Sequence, residues 1–403
     1  MVAGAAASPV GTFRNREGGQ VAQPRGNARR TICIDCRYLG PRPSGIAETV
    51  RALVDFVPDL APDLDFLLLR SPDHSGRLSA AANVREVDVP QAANGPATMW
   101  WLPRVVDLSG VSLFHATFNI MPAGLRMPCV TTVHDLMWLT HPRWCNPRPV
   151  GRLQALFHGH GIKRALHRAA AIVTVSEASR EAIVDCVPPT AERTFVTLSG
   201  VSPDFRPAPR DEVRLAELGV RPDRRFVLTV GQYAPYKNHE GALRGFAHAF
   251  GERMDIDLVL VQRMAKASER LLRLAERLGV GGRVRLLRSL NRQDLVQLYS
   301  AAAALLHPSF CEGFGNPLAE AMACGCPVVT SDCSAMPEVT GGAALLAPPG
   351  DPGAIAAALR MAVDDPETAG RMRAAGLARA ARLSWRAFAA DTLAVYRNVL
   401  ASA

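Results

Sequence analysis

The sequence predicts an α/β protein built from two doubly wound domains in succession, and three observations carry that prediction. Short apolar runs alternate with amphipathic stretches of helix length, the alternation runs through twice, and a proline-interrupted segment separates the two passes. Continuous apolar runs belong to strands covered on both faces, as in a parallel sheet flanked by helices. A chain of 403 residues is also too long for one ordinary core and long enough for two.

In the first pass the strand-like runs are Thr31–Asp35, Phe66–Arg70, Leu113–His115, Cys129–His134, Ala171–Ser176 and Thr194–Leu198. Asn83–Val89 alternates polar and apolar residues, which suits a sheet edge. In the second pass they are Phe226–Val230, Leu258–Gln262, Val284–Leu287, Ala304–His307, Pro327–Ser331 and Ala344–Leu346. Pro203, Pro207, Pro209 and Pro222 interrupt periodicity, so residues 204–225 read as a linker between domains at 31–203 and 226–384. Residues 385–400 place Trp385, Phe388, Leu393, Val395, Tyr396, Val399 and Leu400 along a helix that needs an apolar surface to cover. Periodicity does not choose that surface; completing the first domain is one choice. Residues 1–30, rich in Gly, Ala and Arg and without apolar periodicity, read as a disordered tail and not as a signal peptide.

Composition excludes several classes. Hydrophobic residues make up 48% and charged residues 21%, a globular balance. No run approaches the roughly 20 apolar residues of a membrane-crossing helix, so a soluble or peripheral protein is expected. Cys33 and Cys36 form a C-x-x-C and Cys324 and Cys326 flank Gly325, but no second pair stands at zinc-site spacing, and no metal is expected. Cys33, inside an apolar run, reads as a small core residue, and nine free thiols suit a reducing cytoplasm. The net charge of +9 is uneven. No acidic residue lies between Asp135 and Glu177, where Arg143, Arg148, Arg152, Lys163, Arg164 and Arg168 alternate with Trp144, Leu153, Leu156, Phe157, Ile162 and Leu166. This is either a surface for anionic lipid, which would put the protein on the inner face of a membrane, or a solvated basic face packed by its apolar side. No nucleic-acid-binding motif accompanies the charge.

Ligands of open α/β sheets bind outside the carboxyl ends of the strands. There the segment from Pro308 to Val329 is the most informative. It leaves a strand, passes Gly313 and Gly315 and starts a helix at Asn316-Pro317, with Asn read as the N-cap and Pro as the first helical residue. The glycines let backbone approach a ligand, and the free N–H groups of a helix start favour a diphosphate. Glu312 and Glu320 would repel phosphate; they suit hydroxyl groups, which a nucleotide sugar carries on both sides of its diphosphate. The alternative is a helix cap with dipole-compensating acids.

The segment resembles the donor-binding E-x7-E element of the retaining glycosyltransferases of family 4, which have the GT-B fold: two Rossmann-like domains facing a central cleft. The resemblance extends through Ile34-Asp35-Cys36-Arg37 with Pro43-Ser44-Gly45-Ile46, through Thr132-Val133-His134-Asp135-Leu136, and through Val175-Ser176-Glu177. It continues in Ser199–Phe205 and in Thr229-Val230-Gly231 with Pro235-Tyr236-Lys237-Asn238.

The resemblance implies a hexosyltransferase, mannose- or glucose-type, acting from a nucleotide-sugar donor on a glycan, lipid-linked or small-molecule acceptor. It implies that Glu312 contacts the transferred sugar and that Gly313, Phe314, Gly315 and Asn316 present backbone to sugar and phosphate. Glu320 would hold the ribose, Lys237 would neutralise the diphosphate, and His134 would approach the sugar from the other domain. Gly45, Gly231, Gln232 and Leu290 would line the donor site. Departures are Tyr236 and Gln232, where relatives carry arginines, and Gln262-Arg263 and Arg288, where they carry glycines; Arg263 or Arg288 is expected to restore a phosphate charge. The acceptor-side motifs offer no glycosidase-like carboxylate pair, so a front-face displacement is expected. The competing readings are a hydrolysing sugar-nucleotide epimerase and a non-catalytic nucleotide-sugar-binding protein.

Overall fold

The computed structural model describes residues 29–40, 44–262, 265–288 and 290–403. The tail reading for 1–30 therefore falls outside the described residues, except at Arg29 and Arg30.

Among the described residues the strands form two parallel sheets. The first holds β1 (Thr31–Asp35), β2 (Asp65–Arg70), β3 (Val84–Asp88), β4 (Val111–Ala116), β5 (Cys129–Thr132), β6 (Ala171–Thr174) and β7 (Thr194–Val196), in the order β3-β2-β1-β4-β5-β6-β7. The second holds β8 (Arg225–Val230), β9 (Ile256–Val261), β10 (Val284–Leu287), β11 (Ala304–His307), β12 (Val328–Ser331) and β13 (Leu345–Ala347), in the order β10-β9-β8-β11-β12-β13. The two windings are the same: each sheet runs outward from its first strand, then jumps back to the other side of it. That reversal opens a crevice beside β1 and β4 in one sheet and beside β8 and β11 in the other.

Apolar runs became strands because both faces are covered. Ile32, Cys33, Ile34 and Phe66 through Leu69 are fully buried, as are Leu258 through Leu260. The mixed-polarity run sits at the edge as β3, where only Val84 is buried. Several expected strands end earlier than their sequence suggested. β5 stops at Thr132, β6 at Thr174 and β7 at Val196, each two residues short, and β9 stops at Val261, one residue short, because the following residues turn into loops; Ser176 caps helix Glu177–Cys186, its Oγ accepting from Ser179 N at 3.1 Å.

The C-terminal helix Trp385–Ser402 returns to the first sheet and packs on helix Gly45–Leu60 and against β4 and β6. Tyr396 Oη meets His115 Nδ1 of β4 at 2.5 Å. The two chain crossings run side by side: Val201 N donates to Leu383 O at 3.1 Å, and a Cβ on Gly200 would lie 2.2 Å from Trp385 N. Residues 204–225 are not bare connection, since helix Glu212–Glu217 buries Leu215 and Arg214 pairs with Asp294 at 2.7 Å.

Candidate functional site

In the second domain the crevice is built by two loops. After β8 and Gly231 the chain makes a short turn, Pro235–Lys237, which Asn238 ends in the left-handed conformation at φ 52°. The Asn238 side chain fixes that turn: Oδ1 accepts from Gly241 N, and Nδ2 donates to Pro308 O at 3.0 Å and Pro349 O at 2.8 Å. After β11 the second loop is tied to the first where Phe310 N donates to Tyr236 O at 2.7 Å. Lys237 and Glu312, far apart in sequence, thereby face each other.

Glu312 Oε1 accepts from Lys237 Nζ at 2.6 Å, from Ser309 Oγ at 2.8 Å and from His307 Nε2 at 3.0 Å. Burial raises the Glu312 pKa, but Lys237 and the His307 contact outweigh burial and hold it down at about 2. His307 itself is lowered by burial and is read as a neutral donor. Ser334, left-handed at φ 55°, clamps the Glu312 backbone: its Oγ donates to Glu312 O at 2.8 Å and accepts from Glu312 N at 3.1 Å. The Lys237 ammonium lies 5.3 Å from the Tyr236 ring centroid, so Tyr236 offers that cation a π face.

The helix start is one residue earlier than the sequence suggested. Gly315, at φ +95°, is the N-cap, and Asn316 is the first residue of helix Asn316–Ala323. Only glycine takes that cap conformation without cost, which leaves the Asn316 side chain free to face the other domain. Phe314 is buried, anchoring the loop between Gly313 and Gly315. Glu320, partly buried on the same helix, accepts from Tyr299 Oη at 2.8 Å. Burial, with the charge of Glu48 adding to it, raises Glu320 to about 7. Leu290 packs on the core beside this site, Gln232 follows Gly231 and is exposed, Arg288 is exposed after β10, and Arg263 lies outside the described residues.

The first domain closes the site at its own switch point. A Cβ on Gly45 would stand 3.2 Å from Asn316 Nδ2, and a Cβ on Gly313 would stand 2.2 Å from the His134 carbonyl oxygen. Ser176 Oγ donates to Gly313 O at 2.7 Å. Glu338 spans the cleft to cap the helix beginning at Glu177, accepting from Glu177 N at 2.8 Å. His134 is lowered to about 4 by burial, and its Nε2 lies 3.2 Å from Thr117 O, so the neutral ring donates there and keeps Nδ1 as an acceptor. Asp135, raised by burial and by the nearby Glu312 charge and lowered by Lys237, belongs to the same electrostatic cluster.

Sequence reasoning thus named Lys237, Glu312, Gly313, Gly315, Asn316, Gly45 and His134, and the fold brings them together. It did not single out Asp135, His307, Ser309, Tyr299 or Ser334 as members of the site. Asp135 adjoins His134 and His307 ends a strand at the crevice, which is a usable signal; Ser334 gives none. Among the described residues no cluster of His, Cys, Asp and Glu could hold a metal ion, and no helix is long and apolar enough to cross a membrane.

Comparison with known proteins adds to this geometry. Residues 211–379 match the family model Glycosyl transferases group 1, and residues 43–205 match Glycosyltransferase Family 4. The chain is 32% identical over 287 residues to the O-antigen chain mannosyltransferase B of Escherichia coli, spanning 71% of this chain and 74% of that one. It is 30% identical over 289 residues to the MMP alpha-(1->4)-mannosyltransferase of Mycolicibacterium hassiacum, spanning 69% and 67%. Sucrose-phosphate synthase from Thermosynechococcus elongatus superposes with a TM-score of 0.71 at 21% identity, covering 93% of this chain and all (100%) of that one. Anabaena HepE in complex with UDP-glucose superposes with a TM-score of 0.66 at 18% identity, covering 93% and 100%.

Proposed function

The chain belongs to the group 1 glycosyltransferases with the GT-B fold, and on that premise we propose that it moves a hexosyl group, mannose- or glucose-type, from a nucleotide sugar to a glycan or lipid-linked acceptor with retention. The observation that carries this reading is the Lys237–Glu312 pair at the switch point, beside the Gly315–Asn316 helix start. The resemblance to a mannosyltransferase and to a fold neighbour crystallised with UDP-glucose supports the donor class.

In this reading the diphosphate enters against the helix N-terminus and draws Lys237 away from Glu312. Glu312 then turns its lone pairs to the sugar hydroxyls, and Glu320 accepts from the ribose. Neutral His134 meets the sugar from the opposite domain through Nδ1. The acceptor oxygen attacks C1 on the face the diphosphate is leaving. The C1–O bond breaks toward the phosphate, whose oxygen takes the electron pair and then the acceptor proton. Lys237 and the helix amides stabilise the developing charge, so no metal is required. Closure of the two domains supplies orientation and excludes water.

The test is a screen of GDP-mannose, UDP-glucose and related donors for nucleoside diphosphate release, with lipid-linked and soluble acceptors. Turnover of one donor that disappears in Glu312→Ala supports the transferase. Tight donor binding without turnover on any acceptor points to a binding protein instead.

A further inference from the structure

The basic segment expected to be either lipid-facing or a solvated face divides between two fates. Ile162 and Leu166 are buried in the first domain's core, while Leu153 and Leu156, on the same helix Gly151–Arg168, are 69% and 72% exposed. A second helix, Pro96–Val105, joins them: Trp100 lies edge-on to Phe157 with centroids 5.8 Å apart. Trp100 and its neighbour Trp101 are themselves 42% and 48% exposed. Two large aromatics and two leucines thus share one outer face of the first domain.

Cations surround them. A cavity of about 1180 Å³ between the two halves of the basic segment is lined by Arg143, Arg148, Arg152 and Lys163 together with Trp138 and Leu156. Arg104 adjoins Trp100 in the neighbouring cleft, where Asp107 is the acidic group. Among the described residues, none of Arg104, Arg143, Arg148, Arg152 or Lys163 forms an ion pair, whereas Arg214, Arg221, Arg253 and Arg292 elsewhere on the surface all do. Unpaired cations mixed with exposed indoles and leucines are a poor solvated face, because nothing offsets the cost of leaving the apolar groups in water. They match an interface whose outer layer is anionic and whose next layer is apolar.

We propose that this face docks the protein on an anionic lipid bilayer, with the arginines and Lys163 against the headgroups and Trp100, Trp101, Leu153 and Leu156 at the acyl boundary. The surface adjoins the cleft. On the short helix Pro142–Cys145, Arg143 lines the cavity while Trp144 stacks on Phe310 with centroids 5.8 Å apart, in the loop that carries Glu312. A docked protein would present its donor cleft close to the membrane surface. The docking itself does not depend on the transfer reaction.

The experiment is vesicle flotation of the full chain with phosphatidylcholine alone and with phosphatidylcholine containing phosphatidylglycerol. Binding is expected only to the anionic vesicles and is expected to fall as salt rises. Arg148→Glu/Arg152→Glu is expected to lower the vesicle partition coefficient by roughly tenfold or more. Leu153→Ser/Leu156→Ser is expected to lower it as well, and both variants should keep the wild-type melting temperature and nucleoside diphosphate affinity. Failure of the wild type to float with anionic vesicles at low salt would overturn the proposal, as would equal binding to both vesicle types or variants that float like wild type. Concentration-dependent dimers that Leu153→Ser/Leu156→Ser abolishes, without vesicle binding, would assign the face to self-association. An active transferase that does not bind vesicles would refute the docking and leave the transfer reading intact.

Discussion

Lys237 Nζ stands 2.6 Å from Glu312 Oε1, with both side chains nearly enclosed at 13% and 8% exposure. Each charge is the other's compensation, so neither can be removed alone without leaving a buried ion. Lys237→Met is therefore predicted to destabilise the fold by about 3 kcal/mol, and the double variant Lys237→Met/Glu312→Gln to recover most of that loss. Denaturant unfolding of the four proteins measures the cycle; additive losses would mean the pair is not coupled. The pH dependence follows. Glu312 is held at about 2 in the fold against the ordinary glutamate value of 4.5, so its stabilisation is complete above 4.5 and is lost as pH falls toward 2. Glu312→Gln should remove that part of the acid sensitivity.

Glu320 has the opposite sign. Its folded pKa of about 7 lies above the ordinary glutamate value of 4.5, so the fold favours the protonated form. That contribution is complete below 4.5 and is lost as pH rises through about 7. Above 7, Glu320→Gln is predicted to melt higher than wild type, with the difference closing in mild acid. Donor binding needs the carboxylate as an acceptor, so donor affinity should fall as pH drops through about 7 and lose this step in Glu320→Gln. An affinity profile with no step in that region would remove Glu320 from the ribose site.

Gly313 has no room for a side chain, since its Cβ would stand 2.2 Å from the His134 carbonyl across the cleft. Gly313→Ala is predicted to hold the domains apart. The kcat should fall by about 100-fold, because the reacting groups lose their alignment. Nucleoside diphosphate binding, seated in the second domain, should change little. Scattering would show a larger radius of gyration; an unchanged radius with unchanged kcat would contradict the close approach.

Ser334 holds the Glu312 backbone by both its N–H and its carbonyl, at 3.1 and 2.8 Å. Ser334→Ala keeps every group the donor would touch but frees that loop. A kcat lower by roughly tenfold with little change in KM is predicted, consistent with loss of positioning. A rise in KM alone would mean the loop is held by other contacts.

How much of this was legible in the sequence depends on how local each cause is. Apolar runs such as Phe66–Leu69 announced buried strands because burial on both faces demands them, and the polar alternation around Val84 announced an edge. The glycine loop before Asn316 announced a helix start, but not that Gly315 at φ +95° would take the cap position. Lys237 and Glu312 could each be named by resemblance, yet their pairing depends on Asn238 and Phe310 tying two loops together. Ser334 reaches Glu312 only through the fold, and no pattern around it gives that away. The exposed Trp100 and Trp101 join the basic helix through a contact with Phe157 that periodicity does not encode.

The central claim is that Lys237 exchanges Glu312 for a diphosphate, and calorimetric titration with the nucleoside diphosphate of the active donor tests it most directly. Glu312→Ala removes the competing carboxylate and leaves the lysine unpaired, so it is predicted to bind the nucleoside diphosphate more tightly than wild type. Lys237→Met is predicted to bind it more weakly, by about tenfold or more. Wild-type affinity in both variants would contradict the claim and place the diphosphate elsewhere in the cleft.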